Sequence, residues 1–263
     1  MILYSEQEIQ AIKRSCQIVA RILADLKQMV KPDAQSKELD EYAEAKAVEM
    51  GAVPAFKGYR GFPSSLCTSI NEEIVHGIPS SRRFREGDIV SLDFGVLYEG
   101  YYGDAAVTYP VGNVSDRAKK LIETAEAAFG KGLEQMKEGK RISDISFAVQ
   151  SHVESQGFSV IRAFVGHGIG HSLHEEPQVP NFGSPGRGPK IKRGMVLAIE
   201  PMISIGDWNV EILDDSWTAV TRDRSLSAHY EHTVAITQNG PEILSRLEEE
   251  AKSTSVLKES RYA

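Results

Sequence analysis

The second half of this sequence repeats the plan of the first half, and this repeat limits the folds that the chain can adopt. The segment LKQM at residues 26–29 returns as LEQM at residues 133–136, a shift of 107 positions. The same shift relates Asp93 to Glu200, which lie at the same point of the strand-like runs GDIVSLDF and GMVLAIEP. The repeat predicts two α+β halves around a pseudo-twofold axis, each bringing one carboxylate to a central cleft.

Each half is predicted to begin with two helices. Residues 5–30 place apolar side chains at alternating steps of three and four, which is typical of one buried helix face. Ser36 and Ser143, again 107 positions apart, are expected to cap the second helix of each half. The predicted helices span residues 5–30, 36–50, 115–136 and 143–156.

Composition narrows the class of protein. The net charge of −7 argues against general nucleic-acid binding, which needs clustered positive charge. The two cysteines imply no disulfide framework. The chain shows neither the start of a secretory signal nor an apolar run long enough to span a bilayer. We therefore expect a cytoplasmic protein that binds neither specific DNA nor membranes.

Four acidic residues are candidates for one cleft. An ionised Asp93 among the apolar residues of its strand needs a cation or strong hydrogen bonds, and Asp104 is expected opposite it on a hairpin strand. In the second half a rigid shift of 107 leads from Asp104 to Glu211. Glu231 matches the local pattern better, because a valine follows three positions later and a glycine soon after, as for Asp104. We select Glu231 to accompany Glu200.

Metal ions would explain why four acids share one cleft, since the acids would otherwise repel one another. Two divalent ions roughly 3.5–4 Å apart would resolve this repulsion, and such oxygen-rich sites often include one imidazole. The stretch GHGIGHSLHEEP offers His167, His171 and His174. On a regular strand His167 and His171 would point one way and His174 the other, and spacing alone does not select the ligand.

Five longer motifs resemble those of a known enzyme family. They are NEEIVHGIP, LDFGVLYEGYYGDAA, GHGIGHSLHEEPQVPNFG, LAIEPM and SAHYEHTVAIT. In this order they resemble type I methionine aminopeptidases over about residues 5–240. The resemblance implies the α+β pita-bread (creatinase/aminopeptidase) fold with a central antiparallel sheet. We expect one catalytic metallopeptidase domain, residues 1–263, with halves of about 5–112 and 113–240 and a C-terminal tail, 241–263, that is compatible with a short helix or disorder.

The activity implied by the resemblance is removal of the initiator methionine from nascent polypeptides. A small second residue would be preferred, and a hydroxide held between two divalent metals would attack the peptide carbonyl. Asp104 and Glu231 would bridge the two metals. The metals would be Co, Mn, Fe or Zn, since this set of ligands does not select one of them. The implied ligands are Asp93, Asp104, His167, Glu200 and Glu231.

The resemblance also implies three catalytic residues and a methionine pocket. His174 would hydrogen-bond the substrate carbonyl or the tetrahedral intermediate, and His76 would contact the substrate backbone. Glu200 would carry the proton from water to the leaving amine. Apolar and polarizable walls suit a thioether, and the implied pocket residues are Tyr59, Phe62, Cys67, Leu173 and Trp217.

Some positions depart from the family pattern or receive no role. Leu173 stands where an aromatic residue is common, and Gly95 stands where many relatives carry a hydroxyl residue. His171 falls where relatives vary and is left without a role. His229 and His232 flank the fourth acid, and strand alternation is expected to turn both away from the metals.

Nascent-chain N-termini are the expected partners, and we expect a monomer. The basic runs SRRFR at residues 81–85 and PKIKR at residues 189–193 are expected to be solvated loops. A second interpretation makes them transient contacts to ribosomal RNA.

Two alternative functions share the implied fold. Xaa-Pro aminopeptidases and prolidases use the same five ligands but cut before proline, and the HEEPQVPNFG context and the short N-terminus argue against them. Non-catalytic pita-bread binding proteins usually lack the metal ligands, whereas all five occur here.

Overall fold

The helices lie close to their predicted positions. The computed structural model describes residues 1–247, and in this part of the chain α3 ends three residues before its predicted end at Met136 because the backbone tightens into i+3 hydrogen bonds there. The helix bounds are Glu6–Met29 (α1), Ser36–Glu49 (α2), Asp116–Leu133 (α3) and Ile142–Ser155 (α4).

Helix α1 buries the face that its periodicity predicts. Ile12, Cys16 and Val19 are fully excluded from solvent. At its start the Ser5 hydroxyl accepts from the N–H of Glu8 at 3.3 Å, and the Glu8 carboxylate accepts from the N–H of Ser5 at 2.7 Å. This reciprocal pair satisfies backbone donors that the first turn leaves open.

The expected caps of the two shorter helices are wrong. Other residues hold the cap positions of α2 and α4. The Ser36 hydroxyl instead donates to the carbonyl of Ser80 at 3.1 Å, and the Ser143 hydroxyl donates to the carbonyl of Arg187 at 2.8 Å. Ser80 and Arg187 are themselves 107 positions apart, so the equivalent serines tie equivalent loops to equivalent helix starts.

One antiparallel sheet forms the centre of the molecule. Seven strands follow the order β1–β4–β5–β14–β9–β7–β8, while β2 also pairs with β4 and β15 with β14. Two small sheets, β13–β10–β6 and β11–β12–β3, lie outside it. The strands are Val53–Pro54 (β1), Leu66–Ile70 (β2), Glu73–Val75 (β3), Ile89–Tyr98 (β4), Tyr101–Pro110 (β5), Ser159–Val160 (β6), Gly166–Gly168 (β7), Glu175–Val179 (β8), Val196–Ile199 (β9), Met202–Ser204 (β10), Val210–Ile212 (β11), Ala219–Thr221 (β12), Ser227–His229 (β13), Glu231–Thr237 (β14) and Gly240–Ile243 (β15).

The strand order has the symmetry that the repeat predicts. In the run β4–β5–β14–β9 the outer strands are the ones that carry Asp93 or lead into Glu200, and the inner strands carry Asp104 and Glu231. Glu211 lies on β11 in a separate sheet, exposed and 2.9 Å from Arg224. Glu231 therefore holds the position equivalent to Asp104, as the local pattern predicted.

Buried apolar clusters place the cleft between the two halves. One cluster joins α1 and α2 to β4 and β5, and another joins α3 and α4 to β9 and β14. A third cluster includes Phe62, Cys67 and Leu173 together with residues of α1. The residues expected to form the methionine pocket thus belong to, or pack against, a buried apolar cluster.

The ends of the predicted domain are described only in part. The tail expected at residues 241–263 begins within β15, and the expectation for residues 248–263 lies outside the described residues. The boundary between halves near residue 112 stays a prediction. Within residues 1–247 no helix combines the length and apolar character needed to cross a membrane.

Candidate metal centre

One cleft collects every site residue that the sequence singles out. Its walls come from both halves of the sheet and from the loops after β1 and β7. The predicted residues that line it are Tyr59, Phe62, Cys67, His76, Asp93, Asp104, His167, Leu173, His174, Glu200, Trp217 and Glu231.

The four acids of the cleft lack partners for several of their oxygens. Asp104 and Glu231 are buried, and within residues 1–247 no hydrogen bond reaches Oδ1 of Asp93, Oδ1 of Asp104 or Oε1 of Glu231. Burial and then mutual repulsion raise the pKa of Asp104, Glu200 and Glu231 well above the usual range. Burial also raises the pKa of Asp93 to about 7. Such a cluster is stabilised by cations placed between the carboxylates.

The hairpin that carries two of these acids has a different register from the expected one. Asp104 pairs with Gly95, and Asp93 pairs with Ala106. Asp104 thus lies on the strand next to that of Asp93, as expected, but two residues from the directly opposite position, because the two-residue turn falls at Glu99 and Gly100, whose positive φ values suit it. A shift of two keeps both acids on one face. A Cβ at Gly95 would lie 2.8 Å from the Phe56 ring, which explains the glycine at this position.

The three histidines of GHGIGHSLHEEP do not follow a regular strand. Strand β7 ends at Gly168 and the chain then turns. The rings of His167 and His174 come together, with centroids 4.3 Å apart. His171 points elsewhere and lies against the Tyr101 ring at 4.6 Å. The condition of a regular strand, under which His167 and His171 would share a face, is therefore not met.

His167 has the geometry of a metal ligand. Its Nδ1 lies 3.0 Å from the carbonyl oxygen of Gly168, which orients the ring. Its Nε2 lies 3.5 Å from Oε1 of Glu200 and 4.0 Å from Oδ2 of Asp104. Burial lowers the pKa of His167 to about 4, so the imidazole is neutral at physiological pH and has a free lone pair.

His174 and His76 reach the same cleft from different loops. Nδ1 of His174 lies 2.8 Å from the Tyr59 hydroxyl. Partial burial and then repulsion from His167 lower the pKa of His174. His76 has a positive φ of 60°, a strained conformation for a non-glycine residue, and its ring packs edge-on against Phe164 at 5.4 Å.

An apolar pocket adjoins the acids. Cys67 and Leu173 are buried, and the Phe62 and Trp217 rings meet edge to face at 5.2 Å. Met202, which the sequence did not single out, adds a second sulfur to the cleft wall. Leu173 contributes an aliphatic side chain to the wall of this pocket.

Sequence reasoning missed His229. Its Nε2 lies 3.7 Å from Oε2 of Glu200 and 3.9 Å from Oε2 of Glu231, so the expectation that it turns away is wrong. The expectation is confirmed for His232, whose Nδ1 lies 2.8 Å from the Ser245 hydroxyl. The signal was in the sequence, because His229 and Glu231 are two positions apart, and alternate residues of an extended segment share a face.

Within residues 1–247, two groups of side chains could each hold a metal ion. In each group the candidate ligand atoms lie within 4.8 Å of one another, and both groups contain Glu231. Asp93 lines the same cleft but joins neither group. The groups are Asp104 with His167 and Glu231, and Glu200 with His229 and Glu231.

Comparisons with known proteins identify the family. The model of metallopeptidase family M24 matches residues 10–238. Methionine aminopeptidase 1 of Bacillus subtilis is 51% identical over 241 residues, which is 92% of this chain and 97% of the relative. The crystal structure of a methionine aminopeptidase from Thermotoga maritima superposes with a TM-score of 0.92 at 45% identity, covering 94% of this chain and 99% of that one.

The chain belongs to metallopeptidase family M24, among the methionine aminopeptidases. Membership confirms the predicted pita-bread fold and makes this M24 chain a metal-dependent hydrolase. The likeness extends to the prolidase from Pyrococcus furiosus, with a TM-score of 0.76, 24% identity and coverage of 94% of this chain and 66% of that one. At that identity the prolidase shows the fold alone.

We expect the metal-free M24 chain to lose stability as the pH rises above 7. Burial raises the pKa of these carboxyls in the folded state, so over a range of pH they are protonated when folded and ionised when unfolded. In that range the folded state binds more protons, and a rise in pH favours unfolding. Buried histidines with lowered pKa values make stability rise with pH, but only below about pH 6.5, where the histidines of the unfolded chain bind protons. The expected slope is roughly 1.4 kcal/mol per pH unit for each carboxyl involved.

Urea denaturation of chelator-treated protein at pH 7 and pH 8.5 measures this slope. Added Mn²⁺ should restore stability, and more so at the higher pH, because binding requires ionised carboxylates. Asp93→Asn should leave the slope between pH 7 and pH 8.5 nearly unchanged, because the wild-type carboxyl is largely ionised above its pKa of about 7 in both states. A metal-free stability that stays level or increases over this range would contradict the prediction.

Tyr4 holds the turn between β7 and His174. Its hydroxyl donates to Glu175, at 2.8 Å from Oε1, and accepts from the N–H of His171 at 2.9 Å. Tyr4→Phe should lower the free energy of unfolding by about 0.5–1.5 kcal/mol, because it removes two partly buried hydrogen bonds. Tyr101→Phe is the matched control, since that hydroxyl has no hydrogen bond recorded within residues 1–247. Equal stability of both variants in urea would show that Tyr4 does not brace the turn.

Proposed function

We propose that this chain removes the N-terminal methionine from newly made polypeptides, preferring substrates with a small second residue. The observation that carries the proposal is that an apolar, sulfur-containing pocket opens into the same cleft as the cluster of acids and His167. The methionine aminopeptidases among its relatives support the same activity.

Two divalent ions are proposed for the cleft, and Asp104 and Glu231 would help to hold them. The residues fit this role because several buried oxygens lack any other partner in residues 1–247 and because hard carboxylates with one imidazole suit Co, Mn, Fe or Zn. When bound, such ions lower the pKa of a coordinated water and polarise a carbonyl. The proposed ligands are Asp93, Asp104, His167, Glu200 and Glu231.

Glu200 is proposed to move the proton. Its raised pKa lets the carboxyl hold a proton near neutral pH, so it can accept one from the attacking water and deliver it to the departing amine. Its carboxylate is 12% exposed, in contrast to the more deeply buried Glu231. This opening toward the cleft suits a group that exchanges protons with the substrate.

His174 is proposed to donate a hydrogen bond to the substrate carbonyl. If the Tyr59 hydroxyl donates to Nδ1 of His174, the neutral ring carries its proton on Nε2, which is then a donor. A donor placed where negative charge develops lowers the barrier most when it is fixed in advance. His76 is proposed to hold the substrate backbone, with its ring supported by Phe164 and Trp217.

The pocket is proposed to bind the methionine side chain. Tyr59, Phe62, Cys67, Leu173 and Trp217 surround a space whose walls are apolar and polarizable, as a thioether requires. The free α-amino group would lie near Asp93, which limits cleavage to chain ends.

Peptide cleavage tests the proposal against the prolidase alternative. Purified protein with added Mn²⁺ or Co²⁺ is offered Met-Ala-Ser and an Xaa-Pro tripeptide, and release of free methionine is followed by chromatography. We expect cleavage of Met-Ala-Ser alone. Cleavage confined to the proline peptide would establish the alternative, and metal-loaded protein that cleaves neither would favour the non-catalytic alternative.

Ribosome contact, a monomeric state and a cytoplasmic location are also proposed. The runs 81–85 and 189–193 form exposed loops except for the buried Phe84 and Ile191, and exposed basic loops suit the phosphates of ribosomal RNA. Co-sedimentation with ribosomes that is unchanged after the basic residues are neutralised would remove the ribosome contact.

A further inference from the structure

His229 lies beside two acids of the cleft, Glu200 and Glu231, and the proposed mechanism gives its imidazole no role. The side chain is 1% exposed. Neither ring nitrogen has a hydrogen-bond partner within residues 1–247. Burying a polar ring without partners is costly, so the position indicates a ligand that the protein chain itself does not supply.

The ring nitrogen of His229 is aimed at two acids of the cluster. Nε2 lies 3.7 Å from Oε2 of Glu200 and 3.9 Å from Oε2 of Glu231. These separations exceed the 2.7–3.2 Å or so of a hydrogen bond. They match those that His167 keeps from its acids, 3.5 Å and 4.0 Å. Two ligand atoms that each lie about 2.0–2.2 Å from the same metal ion are separated from each other by distances of this size.

The carboxylate of Glu200 lies between two imidazoles. Its Oε1 faces His167, and its Oε2 faces His229. Glu200, His229 and Glu231 bring their ligand atoms within 4.8 Å of one another, as do Asp104, His167 and Glu231. Glu231 is common to both groups, so two ions bound in this way would share it.

We propose that His229 is a sixth metal-ligating side chain, whose Nε2 binds an ion held by Glu200 and Glu231. This inference rests on the proposed metal site and adds a second imidazole to it. Imidazole suits Zn and Fe, carboxylates suit Mn, and the affinity of nitrogen-containing sites generally rises from Mn through Fe to Co. The second imidazole therefore shifts the preference of the site away from manganese and toward cobalt and zinc.

His229→Gln separates ligation from hydrogen bonding. The glutamine amide can still donate to the acids, but it is a poor ligand for cobalt or zinc. We expect the variant to bind Co²⁺ at least about tenfold more weakly, with a smaller loss for Mn²⁺, by titration calorimetry. His232→Gln is the matched control, since His232 is buried one position beyond Glu231 but bonds Ser245 and Tyr230 instead. His229→Asn provides a second variant if the glutamine protein does not fold.

Proton NMR of the Co²⁺-loaded protein counts the ligating imidazoles directly, because their ring N–H protons are strongly shifted by the paramagnetic ion. We expect shifted signals from two imidazoles in the wild type and in His232→Gln, and from one in His229→Gln. A single shifted imidazole in the wild type that persists in His229→Gln overturns the inference, and if that protein cleaves Met-Ala-Ser the proposed function stands. A folded wild-type protein that binds no Co²⁺ and cleaves nothing overturns both.

Discussion

Replacing Glu231 with glutamine should lower kcat/KM for Met-Ala-Ser by a factor on the order of 10³ or more and weaken the binding of divalent ions. Glu231 is the residue common to both candidate metal groups, so its loss affects both ions together. Burial and repulsion raise its pKa well above the usual range, and an amide resembles a protonated carboxyl in shape. The variant should therefore fold at least as stably as the metal-free wild type.

Glu211→Gln is the control that the repeat itself supplies. A rigid shift of 107 leads to Glu211, but this residue is exposed and pairs with Arg224, where an ion pair contributes little. We expect its variant to match the wild type in rate and in Mn²⁺ binding measured by titration calorimetry. If Glu231→Gln retained both properties while Glu211→Gln lost them, the assignment of the fourth acid would be reversed.

Replacing His174 with asparagine should reduce kcat by a factor of about 10²–10³ while leaving the metal content unchanged. This is the usual effect of removing one fixed donor from a site of developing negative charge. The ring lies close to His167 and its Nδ1 is already engaged by Tyr59, so Nε2 is the nitrogen left for the substrate. Methionine pocket residues remain in place, and KM should change little.

His171→Asn is the matched control, because it removes a histidine from the same segment but not from the cleft. His171 lies three residues earlier on the same turn, but it is exposed and packs against Tyr101, away from the acids. Its variant should keep nearly the full rate. Metal analysis of both proteins, paired with initial rates, separates the outcomes. A His174→Asn protein with normal kcat, or one that has lost its metal, would refute the proposed role.

The repeat and the motifs predicted much of the fold because both can be recognised from the spacing of residues within short segments. The apolar spacing of residues 5–30 defines a helix face without reference to the rest of the chain, and α1 buries that face. The pattern after Glu231 matched that after Asp104, and these residues occupy the inner pair of strands. The cleft gathers all the residues that the resemblance implied, while their roles stay proposals.

Other features depend on contacts between distant segments. Ser36 looked like a cap, but its hydroxyl is drawn to Ser80, 44 positions away. The hairpin places Asp104 two residues from the position directly opposite Asp93, because the turn falls at Glu99 and Gly100, where φ is positive. Neither result can be read from side-chain periodicity.

By itself the sequence determined the duplicated α+β plan, the helices, and the acids and imidazole suited to divalent metals, because periodicity and donor chemistry are properties of neighbouring residues. Only the tertiary structure decided which histidines of GHGIGHSLHEEP face those acids. His174 turns toward His167 and His171 turns away, because the chain bends after β7. At such bends the direction of a side chain follows from long-range strand pairing, which no local pattern records.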